Sequence, residues 1–457
     1  MNTHKFFLND LYILIDVNSG AIHSIDKMVY DIMDIFDGSN DANVVAALEG
    51  KYLRGDVLEG LNELHDLQRA GQLFSPPIDA PPILNETFLV KSLCLHLAHD
   101  CNLRCRYCFA GAGDFGHDKS LMNQKTGEAA VDFIIASSGE RKQCEIDFFG
   151  GEPLLNMKVL KHIVGYVKKR GSETSKEFSL TLTTNAVLLN DDTINYLNDN
   201  NISLVLSLDG RNEVNDHMRP YPSGKGSYND VVSNITRTVS SRKGQNYYIR
   251  GTFTAHNLDF AADVLAMNNM GFTQLSVEPV VVKDADYEIT EKHLPFIYEQ
   301  YEKLALEYLD RKLSGKGFDF FHFNMDINSG PCLLKRIIGC GAGFEYFAVT
   351  PNGDLYPCHQ FVGRDGYKMG SVFEGITISG KKMAHEFSKA HVFNKPLCND
   401  CWARFYCSGG CHANADLFNG DILTPYEIGC QMQKKRLECA IMIQVKLALH
   451  EEQYSCD

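Results

Sequence analysis

Apolar and polar positions follow two different periods along this chain. Short apolar runs at residues 4–8, 12–17 and 21–25 have strand length, and the turn Asn18-Ser19-Gly20 between the last two predicts a hairpin. Residues 27–36, 43–48 and 57–70 then change to helical spacing. In the last of these Leu58, Leu61, Leu64 and Leu67 recur about once per turn. Leu73 and Phe74 are read as the start of one more short strand. Strands followed by three helices predict a winged-helix-like unit over residues 1–74. Asp31, Asp34, Asp37 and Glu49 give it an acidic surface, which argues against DNA. Two readings stand for this unit: a cap packed on the rest of the chain, or a domain that binds a peptide. Residues 75–87 hold Pro76, Pro77, Pro81 and Pro82. Proline fixes φ and removes donors, so this stretch predicts a stiff linker.

From residue 88 the pattern is strand then helix, repeated. Strands are predicted over residues 93–97, 145–149, 179–183, 203–208, 248–254 and 274–278. Helices are predicted over 124–136, 158–169, 191–199, 230–240, 260–270 and 294–312. Nearly continuous apolar strands alternating with helices imply a parallel sheet covered by helices, an α/β fold. Six such units over residues 88–312 predict a partial barrel, (β/α)6, open on one side. In sheets of this kind functional residues gather at the C-terminal ends of the strands.

Composition narrows the function classes. The formal net charge of −14 excludes a broadly basic nucleic-acid surface. No run of 18 apolar residues exists, so no membrane span is predicted, and the first 16 residues do not read as a signal peptide. The 15 cysteines are odd in number and clustered, which favours metal ligation in a reducing cytoplasm over a disulfide framework.

Cys101, Cys105 and Cys108 follow the first predicted strand at CxxxCxxC spacing. Three thiolates on a 4Fe–4S cube leave one iron open, the mark of a catalytic rather than a structural site. A zinc knuckle with a distant fourth ligand is the other reading of the spacing. A second concentration lies in residues 313–457: Cys340, Gly353 and Cys358, then Cys398-x2-Cys401-x5-Cys407-x3-Cys411, then Cys430. Thiolate sets of this kind suit zinc or iron–sulfur clusters alike. Cys332 is a further candidate ligand, whereas Cys94, Cys144 and Cys439 read as core residues and Cys456 fits no pattern. Trp402 is read as shielding, and His359 and His412 as supporting residues beside ligands.

The run Cys101 to Cys108, with aromatic Tyr107 before the last cysteine, resembles the signature of the radical S-adenosylmethionine (SAM) superfamily. The later cysteines resemble its SPASM extension at every position of that pattern. The resemblance implies a 4Fe–4S cluster on Cys101, Cys105 and Cys108, with SAM on the open iron. It implies SAM contacts at Gly150, Gly151, Glu152 and Pro153, at Thr184 and Asn185, and at Ser207 and Asp209. Arg219 and Arg250 are candidates for the SAM carboxylate, since guanidinium suits bidentate carboxylate binding. It further implies two auxiliary 4Fe–4S clusters, three in all: one on Cys398, Cys401, Cys407 and Cys430, the other on Cys340, Cys358 and Cys411. Within the superfamily the whole chain resembles the maturases of six-cysteine (SCIFF) peptides, which make thioether crosslinks. Residues 16–21, 356–361 and 407–414 carry that closer likeness. The implied partners are a ribosomally synthesised Cys-rich precursor peptide and an electron donor such as flavodoxin or ferredoxin, with neither nucleic acid nor membrane. Two rivals remain: an anaerobic sulfatase maturase that forms formylglycine, and a non-catalytic iron–sulfur carrier of peptides.

Overall fold

The computed structural model describes residues 3–78, 89–116, 118–327, 337 and 339–455. Cys332, Cys456, Pro81 and Pro82 lie outside the described residues.

The chain opens with an antiparallel sheet of β1 (Thr3–Leu8), β2 (Leu11–Asp16) and β3 (Ile22–Ile25). Asn9 and Asp10 both take positive φ, 48° and 61°, the twist that a two-residue hairpin requires. At the second hairpin Asp16 accepts from the Ser19 amide and hydroxyl, as expected for a turn at Asn18-Ser19-Gly20. Helices α1 (Lys27–Ile32), α2 (Asp41–Leu48) and α3 (Arg54–Arg69) follow. Their apolar faces close on Leu14, Val44, Leu61 and Leu64. The strand expected at Leu73 and Phe74 does not form. Leu73 is buried in this helical core and Phe74 turns the chain with φ 51°, so packing rather than pairing fixes both.

The core is a parallel sheet. β4 (Ser92–His99), β6 (Gln143–Gly150), β7 (Glu177–Thr184), β8 (Ser203–Ser207), β9 (Tyr247–Phe253) and β10 (Gln274–Pro279) pair in that order; β5 (Ser120–Leu121) is a short antiparallel partner of β4. Between them run α4 (Gln124–Ser137), α5 (Met157–Thr174), α6 (Asp191–Asp199), α7 (Asn212–Met218), α8 (Tyr228–Ser241) and α9 (Phe260–Asn269), and α10 (Leu294–Leu313) follows β10. Only α7 has no counterpart in the periodicity.

The sheet does not stop at residue 312. β11 (Asp319–Phe320) adds in parallel to β10, and β12 (Tyr346–Val349) adds in parallel to β4 at the other side. β13 (Asp354–Tyr356), β14 (Gly370–Ser371) and β15 (Gly375–Ile376) continue it as antiparallel strands. β4 therefore lies inside the sheet, and all of its residues are buried. Then come α11 (Ile378–Lys389), the short α12 (Pro396–Asn399) and α13 (Arg404–Cys407), α14 (His412–Asn419) and the long α15 (Glu427–Ser455). α15 packs along α10 and reaches β1. The first unit docks on this C-terminal part. His4 stacks on Trp402 at 4.0 Å and bonds Glu438, and Arg404 donates to Asn18 at 2.6 Å. No helix among the described residues is long and apolar enough to cross a membrane.

Candidate functional site

β4 delivers the chain into the loop that carries Cys101, Cys105 and Cys108. This loop is held by main-chain bonds from two sides. Gly151 N donates to Ala98 O at 2.8 Å and Glu152 N to Asp100 O at 2.9 Å, which ties the end of β6 to the end of β4. Arg104 N and Arg106 N donate to Pro220 O and Met218 O, both at 2.8 Å. The close approach explains the paired glycines. A Cβ on Gly151 would stand 2.2 Å from Asp100 O, and one on Gly150 2.3 Å from Ala98 O. The two glycines thus make room for the neighbouring backbone of the cysteine loop.

Glu152 is fully buried. One carboxylate oxygen accepts from Leu154 N and the Thr184 hydroxyl, the other from Asn185 N at 2.8 Å. A carboxylate offers about four acceptor positions, so one remains for a further donor. Burial raises its pKa, while these donors and Arg219 pull it back. Pro153 begins a short 3-10 turn below it. Asn185 also donates to Asn102 at 2.7 Å and to Cys101 Sγ at 3.6 Å.

On the opposite side the Tyr107 hydroxyl bonds the Asp209 carboxylate at 2.7 Å and accepts from Arg219 at 2.7 Å. Asp209 also accepts from Thr252 N. Arg219 is buried, and its Nε has no partner in the structure. An orphaned guanidinium N–H beside the cysteine loop is a donor waiting for an anion. Arg250, exposed on β9, pairs in register with Ser207 at the end of β8 and acts electrostatically on Glu278, His322 and His359. Ser207 ends β8, half-buried.

Ten of the thirteen described thiols form three groups by mutual charge. Cys101, Cys105 and Cys108 act on one another; so do Cys340, Cys358 and Cys411; so do Cys398, Cys401, Cys407 and Cys430. Burial pushes Cys101 and Cys105 to about 11 and Cys358 to about 12. Thiols that disfavour one another's ionisation suit a cationic centre, which deprotonates them on binding. Among the described residues no group of three His, Cys, Asp or Glu side chains is placed to hold one metal ion. Cysteines on a 4Fe–4S cube each take a different iron, so such a cluster does not need its thiolates to meet at one point.

Cys94, Cys144 and Cys439 are buried core residues, as expected. Trp402 is buried under His4. His359 packs on Phe149 and Phe109 and bonds Tyr346. His412 is buried and bonds Ala390 O. A cavity of about 290 Å³ runs from the C-terminal end of β10 to the cysteine groups, touching Glu278, Tyr301, Arg436, Cys407, Cys411 and Cys430. At its wall Arg436 of α15 reaches Glu278 (3.5 Å) and His322 (2.9 Å). Glu278 stands at a strand end, where the strand-end rule would find it. Arg436 comes from far along the chain and leaves no local signal.

Comparison with known proteins agrees with this geometry. Residues 91–233 match the family described as a 4Fe-4S single cluster domain, and residues 340–402 match SPASM, an iron-sulfur cluster-binding domain. The chain is 24% identical over 337 residues to a cysteine-type anaerobic sulfatase-maturating enzyme of Clostridium novyi (strain NT), covering 69% of this chain and 86% of that relative. It is 22% identical over 366 residues to the radical SAM cyclopropyl synthase TigE of Paramaledivibacter caminithermalis, covering 76% and 72%. Its fold is similar to the solved structure of native anSMEcpe with bound AdoMet and Cp18Cys peptide, with TM-score 0.63 and 21% identity, covering 79% of this chain and 99% of that one. These findings support an α/β core that carries a 4Fe-4S cluster domain, joined to a SPASM iron–sulfur domain, in a fold similar to that of anSMEcpe.

Gly151→Ala tests the loop clamp. The added methyl meets a carbonyl that cannot move without the cysteine loop, so a loss of about 1–3 kcal/mol is expected. It is read as a lower melting temperature, with weaker iron retention after reconstitution.

Proposed function

We propose that this chain is a radical SAM maturase that installs Cys-to-carbon thioether crosslinks in a ribosomally synthesised, Cys-rich precursor peptide. The observation that carries this reading is the group of Cys340, Cys358 and Cys411. Among the described residues it has three members, and Cys411 opens on the cavity at the end of β10. A three-thiol group at a cavity has room for a substrate thiolate.

In this reading residues 88–312 are a partial (β/α)6 barrel, residues 313–457 a SPASM domain with two auxiliary clusters, and 75–87 a linker. Cys101, Cys105 and Cys108 hold the 4Fe–4S cluster that, with SAM, supplies a 5′-deoxyadenosyl radical. The remaining acceptor position of Glu152 suits the SAM ammonium, and the unpartnered Nε of Arg219 suits its carboxylate. Gly150, Gly151 and Pro153 shape that pocket, with Asn185 and Thr184 fixing Glu152 and with Tyr107 and Asp209 fixing Arg219. Arg250, paired with Ser207 across β8 and β9, is the second guanidinium offered to the SAM carboxylate.

Residues 1–74 act as a winged-helix-like domain that recognises the precursor's leader. Among the described residues β3 has a ladder partner on one side only, and such an edge accepts an added strand. β1 is engaged with α15. The unit rests on Trp402 and Arg404, beside the Cys398 group, so a bound leader would hold its core peptide near the clusters. The enzyme works in the cytoplasm, with flavodoxin or ferredoxin as donor.

Formylglycine formation is the second reading, favoured by the likeness to sulfatase-maturating enzymes. About a fifth of this chain has no counterpart in that fold, which favours the reading with a separate recognition unit. Anaerobic reaction with a Cys-rich precursor separates the two. A thioether removes two hydrogens and blocks thiol alkylation; formylglycine replaces the thiol with an aldehyde. A product that keeps all its alkylatable thiols would overturn the thioether reading.

Reconstituted protein should hold about twelve irons, and replacing Cys101, Cys105 and Cys108 together with Ala should remove about four and all SAM cleavage. Stoichiometric zinc with little iron would refute the cluster assignment.

Cys332→Ala should keep about twelve irons and thioether formation, with the cluster spectrum still responding to peptide, whereas Cys358→Ala should lose both. Loss of the cluster in Cys332→Ala, with no spectral response to peptide in the parent, would exclude direct binding of the substrate sulfur.

A further inference from the structure

Lys395 is fully buried, the only lysine among the buried polar residues of the described chain. It precedes the short helix α12, which carries Cys398. Its Nζ donates to Gly409 O at 2.7 Å. Gly409 lies in the Cys407–Cys411 turn, the segment that joins the two C-terminal thiol groups, and takes φ +82° there. A Cβ on Gly409 would lie 3.2 Å from Lys395 Cδ, so the lysine stem is packed directly on that turn.

A buried ammonium needs more than one carbonyl, because loss of hydration disfavours charge strongly. Among the described residues no carboxylate lies within ion-pair distance of Lys395; Asp421, at the surface, feels it only at longer range. Two histidines, His391 and His412, also feel its charge, but the groups that favour that charge are cysteines. Cys398, Cys407 and Cys430 of one group act on its charge, and so does Cys411 of the other. Cys340 feels the lysine in turn. Burial pushes the lysine pKa down, and these cysteines pull it up.

We propose that Lys395 is a positioning residue: a single interior cation shared by both C-terminal cysteine groups, which holds their clusters' electron-accepting states within reach. The inference rests on the cluster assignment made under Proposed function. A positive charge in a low-dielectric interior stabilises the state with the added electron. Because the ammonium sits on the turn between the two groups, it acts on both at once. The cysteines that act most on its charge all belong to the C-terminal groups, so the group of Cys101, Cys105 and Cys108 serves as an internal control.

The test is a redox titration followed by EPR on reconstituted full-length protein, comparing the parent with Lys395→Met and Lys395→Arg. At the parent's auxiliary midpoints, Lys395→Met should show about a tenfold smaller ratio of reduced to oxidised cluster, equivalent to about 59 mV for a one-electron couple. The signal from the Cys101 group should keep its midpoint, and Lys395→Arg should stay near the parent. Loss of auxiliary iron in Lys395→Met but not in Lys395→Arg would equally support a required charge. Unchanged auxiliary midpoints in an iron-replete Lys395→Met overturn the proposal, and so does equal loss of iron in both variants, which would mean that shape rather than charge is needed. A parent with about four irons only would overturn the auxiliary-cluster assignment itself and this inference with it.

Discussion

The candidate site depends on a backbone clamp between two strand ends. Gly151 and Glu152 donate to the carbonyls of Ala98 and Asp100, so the turn after β6 is fastened to the turn after β4. Everything nearby is registered from that contact. Glu152 can reach the end of β7 only because its backbone is held against the cysteine loop. Tyr107, Asp209 and Arg219 close the other side of the loop through a buried chain of charged and phenolic groups. Such a network fixes side-chain direction strongly, since each member would be costly to leave unpaired.

Much of this was legible in the sequence, for reasons of period and spacing. The strands and most helices carry continuous or amphipathic apolar patterns, and short-range patterns survive translation into local structure. The spacing of Cys101, Cys105 and Cys108 keeps those thiols on one loop, because a motif of a few residues has little freedom, whereas the division of the later cysteines was implied by the family resemblance and not by spacing. The misses have the opposite cause. α7 is short and polar over Asn212–Met218, so it shows no apolar face. β11 and β12 exist because distant strands offer hydrogen-bonding edges. Leu73 and Phe74 read as a strand by composition, but the helical core claimed Leu73. Lys395 and Arg436 gain their significance from partners that only the folded chain supplies.

The union of the three parts is closer than a linker model implies. The N-terminal sheet touches the C-terminal segment through His4, Asn18, Trp402 and Arg404, although these residues are far apart along the chain. The same C-terminal segment supplies strands to both sides of the parallel sheet. Packing, and not the order of motifs, makes the chain one body around the cysteine groups.

The pairing of Ser92 with Tyr346 sets an order of events during synthesis. Until the ribosome has released residues 346–349, β4 has an unpaired edge, although its other neighbours are already made. The strand that leads into Cys101 is thus the last of the central strands to be enclosed. An open edge of this kind invites pairing with another chain, and long-range closure is slow. The interval before β12 arrives is therefore the time when the nascent chain is most exposed to misassembly.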